Sequence, residues 1–196
     1  ADFVLQEYLK TDELPGLTEQ ILTVVFTDIR DSMNLAERLG ARRFGDVLTI
    51  YYHEMSKAVF DSGGLLNKFM GDGLMAVFGT LGKPDPEKHA VQAALAMLER
   101  LEAINRAEGE QIEVGIGINT GAVMAGYVGS DERVEYSVLG DPVNIAERLQ
   151  AHARPNRIFV GPETLPAIAD QFKTQSVGPV EIKGRTQPVN AFEVLR

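Results

Sequence analysis

Two short apolar runs, Leu65–Met70 and Leu74–Phe78, are separated only by Gly71-Asp72-Gly73. A gap that short cannot hold a crossover connection, so the pair reads as a β-hairpin and commits the chain to an antiparallel sheet. Upstream, the run Ile21–Phe26 is apolar and β-branched, as a buried strand should be. Between them Phe44, Val47, Leu48, Tyr51, Tyr52, Met55, Val59 and Phe60 fall at helical spacing, and Gly63-Gly64 ends the pattern. After the hairpin, Asp85-Pro86 opens a second helix with Val91, Leu95, Leu98, Leu101 and Ile104 on one stripe. Ile112, Val114, Ile116 and Ile118 then alternate with Glu113, Gly115, Gly117 and Asn119, the pattern of a half-buried strand. The order β-α-β-β-α-β predicts a ferredoxin-like α+β core.

The remaining segments are C-terminal additions to that core. Ala122–Val128 and Val134–Leu139 read as strands about the polar tip Gly129-Ser130-Asp131-Glu132. Asp141-Pro142 opens a helix running to Ala153, with Val143, Ala146 and Leu149 on its buried side. Arg157–Val160, Phe172–Val180 and Ala191–Leu195 close the chain as strands. Residues 1–20, punctuated by Pro15-Gly16, read as a linker or leading segment, and residues 21–196 as one domain, in keeping with a length of 196. No run approaches a transmembrane helix and no signal peptide is evident. The start at Ala1 reads as a piece of a longer protein whose upstream regulatory domains are missing.

Composition excludes several chemistries. There is no cysteine, hence no disulfide framework, thiolate zinc site or cysteine nucleophile. A net charge of −9 weighs against nucleic acid and anionic membranes as partners. A phosphorylated small molecule would then need placed cations and a metal. His53, His89 and His152 share no ligand spacing.

Two aspartates stand where strands end: Asp28 after the run Ile21–Phe26, and Asp72 in the hairpin turn. If those strands are neighbours, both carboxylates can face one spot, an oxygen donor set suited to Mg²⁺ or Mn²⁺. The same residues also fit a plain Asp-Gly turn and a helix cap. From Asp28 to Leu35 the chain passes from strand into helix, which offers backbone N–H groups to an anion without a Walker motif. Asn144 and Arg148 lie four apart on one helix face, able to hold a sugar and a phosphate or simply to be solvated. Lys68 and Lys183 are isolated cations in their segments.

Together these pieces resemble the catalytic domain of class III nucleotidyl cyclases, the adenylyl and guanylyl cyclase family. The matching stretches are VVFTDIRDS (24–32), GGLLNKFMGDGLMAVFG (63–79), VGIGINTGAVMAGYVGS (114–130), EYSVLGDPVNIAERL (135–149) and EIKG (181–184). The resemblance implies a head-to-tail homodimer with active sites between the chains, in a catalytic domain facing the cytosol. It implies that Asp28 and Asp72 bind two Mg²⁺ or Mn²⁺ ions, with Ile29 adding its backbone carbonyl, and that Arg157 contacts phosphate. The other chain would bring Lys68 and Ser137 to the purine, Asn144 to the ribose, Arg148 to the reacting phosphate and Lys183 to the terminal phosphates.

By the same resemblance the substrate is ATP. Lys68 can only donate, which suits adenine N1 and leaves guanine N1–H without a partner. Guanylyl cyclases typically carry Glu and Cys at the positions of Lys68 and Ser137. Many relatives have Asp where Ser137 stands; serine marks a subgroup often described as bicarbonate-responsive, so bicarbonate is an expected activator, and a flat activity curve against it at fixed pH would remove that expectation. Ser32-Met33 replaces the common Phe-Thr, so packing behind the phosphate loop is expected to differ. The rival reading is a catalytically silent cyclase-like dimerisation or regulatory module; a diguanylate cyclase would need a Gly-Gly-acidic-Glu-Phe signature, and the hairpin has Gly-Asp-Gly.

Overall fold

The computed structural model describes residues 16–130, 133–182 and 187–196. Lys183 lies outside the described residues. The core elements are β1 (Thr18–Ile29), α1 (Ser32–Asp61), β2 (Leu65–Met70), β3 (Gly73–Phe78), α2 (Pro86–Glu108) and β4 (Val114–Ser130). The additions are β5 (Arg133–Leu139), α3 (Asp141–His152), β6 (Arg157–Val160), the short α4 (Leu165–Ile168), β7 (Thr174–Val180) and β8 (Val189–Val194). One sheet runs in the order β2-β3-β1-β4-β6-β8-β7, with β5 paired to β4 off that path. Its β2-β3-β1-β4 part is the ferredoxin-like arrangement expected from the sequence.

Strand alternation divides the two faces. Val25 and Ile29 join Tyr51, Met55, Val91, Leu98, Ile116 and Ile118 in the larger core under α1 and α2. Leu22, Val24 and Phe26 point the other way, into a second cluster with Met75, Val123, Val138 and Ala146 of α3. Asp28 continues this second series, so its side chain stands on the α3 face.

Element bounds differ from the sequence reading in several places, including β7, which begins at Thr174 rather than Phe172, and β8, which spans Val189–Val194 rather than Ala191–Leu195. β1 begins at Thr18, not Ile21, because Thr18 still pairs with Ala125 of the long β4. α1 starts at Ser32, inside the strand-to-helix passage read at Asp28–Leu35, and runs on through the stripe that begins at Phe44; Gly40, at φ 73°, breaks it between the two. Gly73 belongs to β3, opposite Met70, so the hairpin turn is Gly71-Asp72 alone. The strands expected at Ile112–Ile118 and Ala122–Val128 are one continuous β4. Gly121 within it is no break: a Cβ there would stand 2.6 Å from Pro142 Cγ, so the glycine marks the close approach of α3.

α3 lies directly on the sheet. It buries Ile145, Ala146, Leu149 and Gln150, while Asn144 on the other side is exposed and Val143 only half-buried. A Cβ on Gly117 would fall within the α3 backbone, 2.8 Å from Gln150 Cα. Gly117→Ala therefore forces α3 off the sheet and should cost about 1–3 kcal/mol. Gly45→Ala, at an exposed α1 position with open space around it, should instead stabilise by about 0.5–1 kcal/mol. Urea unfolding midpoints of the two variants check both signs.

Candidate functional site

Asp28 is placed by register. In one row across the sheet, Gly73 of β3, Asp28 of β1, Gly115 of β4 and Arg157 of β6 lie side by side. Both immediate neighbours of Asp28 are glycines, so its carboxylate rises from a floor without side chains. A Cβ on Gly73 would stand 2.6 Å from Asp28 Oδ1. The β2–β3 turn begins one residue from Gly73, which brings Asp72 to the same place. The two carboxyl groups are within hydrogen-bonding reach of each other.

Electrostatics follow from that contact. Burial, the charge of Asp72 and a hydrogen bond to it push the Asp28 carboxyl up to about 6, against a smaller opposing pull from Arg30. Two acidic groups forced together on a glycine floor are an oxygen donor pair that a divalent cation would relieve, so these residues fit Mg²⁺ or Mn²⁺. Among the described residues no group of three or more His, Asp or Glu stands where it could hold a metal ion. Ile29 turns its side chain into the core at 3% exposure.

The turn is clamped from α1. The Tyr52 hydroxyl donates to the Gly71 carbonyl, and its ring packs on Phe69 with centroids 4.2 Å apart. Burial, Asp72 and Asp28 all raise the Tyr52 pKa, which keeps the donating proton in place. The sequence pattern assigned Tyr52 to the helix's apolar stripe, and nothing in that pattern marks the hydroxyl's role.

Arg30 also escaped the sequence reading. Two residues after Asp28 and on the same face, its Nη2 donates to the carbonyls of Gln150 and, at 2.9 Å, Ala153. These are the last carbonyls of α3, which a cation suits. A Cβ on Gly115 would overlap the guanidinium, so that glycine makes the room. Burial lowers the Arg30 pKa, and Asp28 works against this shift. Arg30 thus ties the C-terminal end of α3 to the strand that carries Asp28.

The other predicted residues are placed as follows. Asn144 is exposed and Arg148 half-buried on α3, roughly opposite Gln150 around the helix, so both face away from their own sheet. Arg157 is exposed at the start of β6, roughly 10 Å from Asp28 across two strand spacings, and ion-pairs with Glu193 at 3.4 Å. Asn156 before it takes φ 57° and accepts from Val114 N, which fixes where β6 begins. Lys68 is exposed on the edge strand β2 and Ser137 half-buried on β5 opposite Gly126. A cavity of about 760 Å³ lined by Thr120, Asp141, Pro142, Glu163 and Asn190 includes none of the predicted site residues.

A carboxyl whose pKa rises on folding binds its proton better folded than unfolded. That favours folding below the ordinary carboxylate range, and the advantage is lost as pH climbs through about 6. In chelator, Asp28→Asn should therefore raise Tm at pH 8 and leave it near the parent value at pH 4. A lower Tm at pH 8 would show that the pair is not repulsive.

Residues 17–194 match the family described as the adenylate and guanylate cyclase catalytic domain. The adenylyl cyclase CyaB from P. aeruginosa superimposes with a TM-score of 0.88 at 33% identity, over 93% of this chain and 97% of that one. The guanylyl cyclase Cya2 gives 0.84 at 31% identity, over 92% and 94%. A terminal-differentiation-specific adenylate cyclase of Dictyostelium discoideum is 34% identical over 181 residues, 89% of this chain but only 8% of that protein's length. No described helix is long and apolar enough to cross a membrane. The chain belongs to the class III adenylyl and guanylyl cyclase catalytic domains.

Proposed function

We propose that the protein converts ATP to 3′,5′-cyclic AMP and pyrophosphate at two equivalent sites shared across a head-to-tail homodimer. The observation that carries this reading is the Asp28–Asp72 pair, two carboxyl groups held together where the charge of Asp72 and burial oppose the ionisation of Asp28. A fold needs no such repulsion; a divalent-cation site does.

Asp28 and Asp72, with the Ile29 carbonyl, would hold the cations. Bound there, divalent cations acidify the ribose 3′-hydroxyl and screen the triphosphate charge. The hydroxyl oxygen forms a bond to the α-phosphorus as the bond to the β-phosphate oxygen breaks, and its proton passes to water. Asn144 orients the ribose. The planar guanidinium of Arg148 meets the charge on the α-phosphoryl oxygens, and Arg157 and Lys183 meet the departing pyrophosphate. The N-terminus of α1 has no side-chain cap, because Asp31 is bonded instead by Asn34 Nδ2 at 2.7 Å, so its first-turn N–H groups are free of side-chain partners to face the phosphates. Catalysis on this reading is positioning and electrostatics, with no covalent intermediate.

Sharing of the site is supported by direction. Asn144 and Arg148 project away from the sheet that carries Asp28 of their own chain, toward a face that a second copy can meet. Met124, Val128, Val134 and Leu139 on the β4–β5 arm stay exposed although apolar, which suits burial against another chain. Two-fold symmetry then completes both sites at once. Adenine is favoured over guanine because Lys68 can only donate, while the Ser137 hydroxyl can accept from N6.

Purified protein with ATP and Mn²⁺ should yield cyclic AMP and pyrophosphate, with little cyclic GMP from GTP. No product at any protein concentration would favour the silent-module reading. Asp28→Ala or Asp72→Ala should abolish turnover, and Arg148→Ala should lower kcat by about 10²–10³-fold with a smaller change in KM. Mixing inactive Asp28→Ala chains with Arg148→Ala chains should restore activity through one intact site per mixed dimer. No recovery under conditions of proven subunit exchange would sink the shared site.

A further inference from the structure

The two side chains assigned to the purine are carried on segments anchored separately. Lys68 is on β2, at the edge of the sheet, where its strand pairs with β3. Ser137 is on β5, which lies off the main path and pairs with β4. Reading a base by its hydrogen-bond pattern requires the reading groups to keep a fixed separation, and neither ladder supplies one.

Asn67 does. The β2–β3 register shifts between Leu66 and Lys68, so Asn67 sits at a bulge, out of step with the ladder. Its Nδ2 donates to the Tyr136 carbonyl at 2.7 Å, across 69 positions of sequence. Tyr136 immediately precedes Ser137, as Asn67 immediately precedes Lys68. The amide orientation is dictated by chemistry, since only the NH₂ end can face a carbonyl. The Oδ1 end is buried without a partner. Leaving an acceptor buried and unpaired is unfavourable, and an apolar residue would avoid it, so what the amide contributes here is the bond to Tyr136. Leu65 and Tyr136 both pack on the second core cluster, which brings the two segments side by side.

We propose that Asn67 is a positioning residue for base selection: its bond to the Tyr136 carbonyl fixes the spacing of Lys68 and Ser137 and so sets the preference for ATP over GTP. This rests on the assignment of Lys68 and Ser137 to the purine. Asn67 touches no reacting atom, and its effect falls on discrimination rather than on the chemical step.

The test is the ratio of kcat/KM for ATP to that for GTP, with the same ratio read from equilibrium binding of the two nucleotides so that slow turnover does not hide it. Asn67→Ala should lower the ratio about ten- to a hundred-fold, the scale of a misplaced recognition group. Asn67→Asp keeps the shape but sets an acceptor against the Tyr136 carbonyl, and should lower it at least as far. Combined with Ser137→Ala, the Asn67→Ala effect should be less than additive, because both act through one recognition element. An unchanged ratio in a folded Asn67→Asp protein, or equal losses for ATP and GTP, overturns the proposal. Lys68→Ala separates the two ideas. If it shifts the ratio while the Asn67 variants do not, the purine assignment stands and the tie is wrong; if it leaves the ratio unmoved, the assignment itself falls and the proposal with it.

Discussion

The pairing of β1 along both edges is the constraint on which the rest of the molecule depends. Residues Thr23–Asp28 are bonded to β3 on one side, and Thr18–Ile29 to β4 on the other. A strand held on both sides cannot slip by one residue without turning its whole apolar set inside out. Val25 and Ile29 must face α1 and α2, so Val24, Phe26 and Asp28 must face α3. The position of the acidic pair therefore follows from hydrophobic burial elsewhere in the same strand.

Glycine makes that face usable. Gly73 and Gly115 flank Asp28, and Gly115 and Gly117 lie under α3. Without side chains there, Asp72 can meet Asp28, Arg30 can reach the end of α3, and the helix can settle on the strand backbone. Arg30 then links two groups of residues with different destinations. Asp28 faces inward along its own sheet, while Asn144 and Arg148 face out from the other side of the helix that Arg30 holds. On the shared-site reading, one guanidinium connects the parts that a single chain lends to two active sites.

Much of the core was legible because it is periodic. The hairpin, the α2 stripe and the alternation into β4 each repeat at the spacing of their own secondary structure, and their order named the topology. Asp28 and Asp72 were legible too, since each stands where an apolar run stops. What periodicity cannot carry was missed. The interval between the strands read at Ile112–Ile118 and Ala122–Val128 is no break, and Gly121 within it is a place where Pro142 comes close. Gly40 breaks α1 between the entry read at Asp28–Leu35 and the stripe from Phe44, so no single period joins the two parts. Tyr52 fitted a helix stripe, although its hydroxyl holds the Gly71 carbonyl. Arg30 and Asn67 gave no signal, because each acts on a backbone carbonyl 69 or more positions away.

The sequence by itself determined which elements form, their order, the antiparallel hairpin and the identity of the acidic pair, because strand and helix periods and turn chemistry are local properties of the chain. Only the tertiary structure decided that Asp28 and Asp72 meet, that Asn144 and Arg148 turn away from them, and that Asn67 joins the segments of Lys68 and Ser137. Those relations depend on register across the sheet and on how closely α3 can approach it. Both are fixed by packing between residues far apart in the chain, where no local pattern records them.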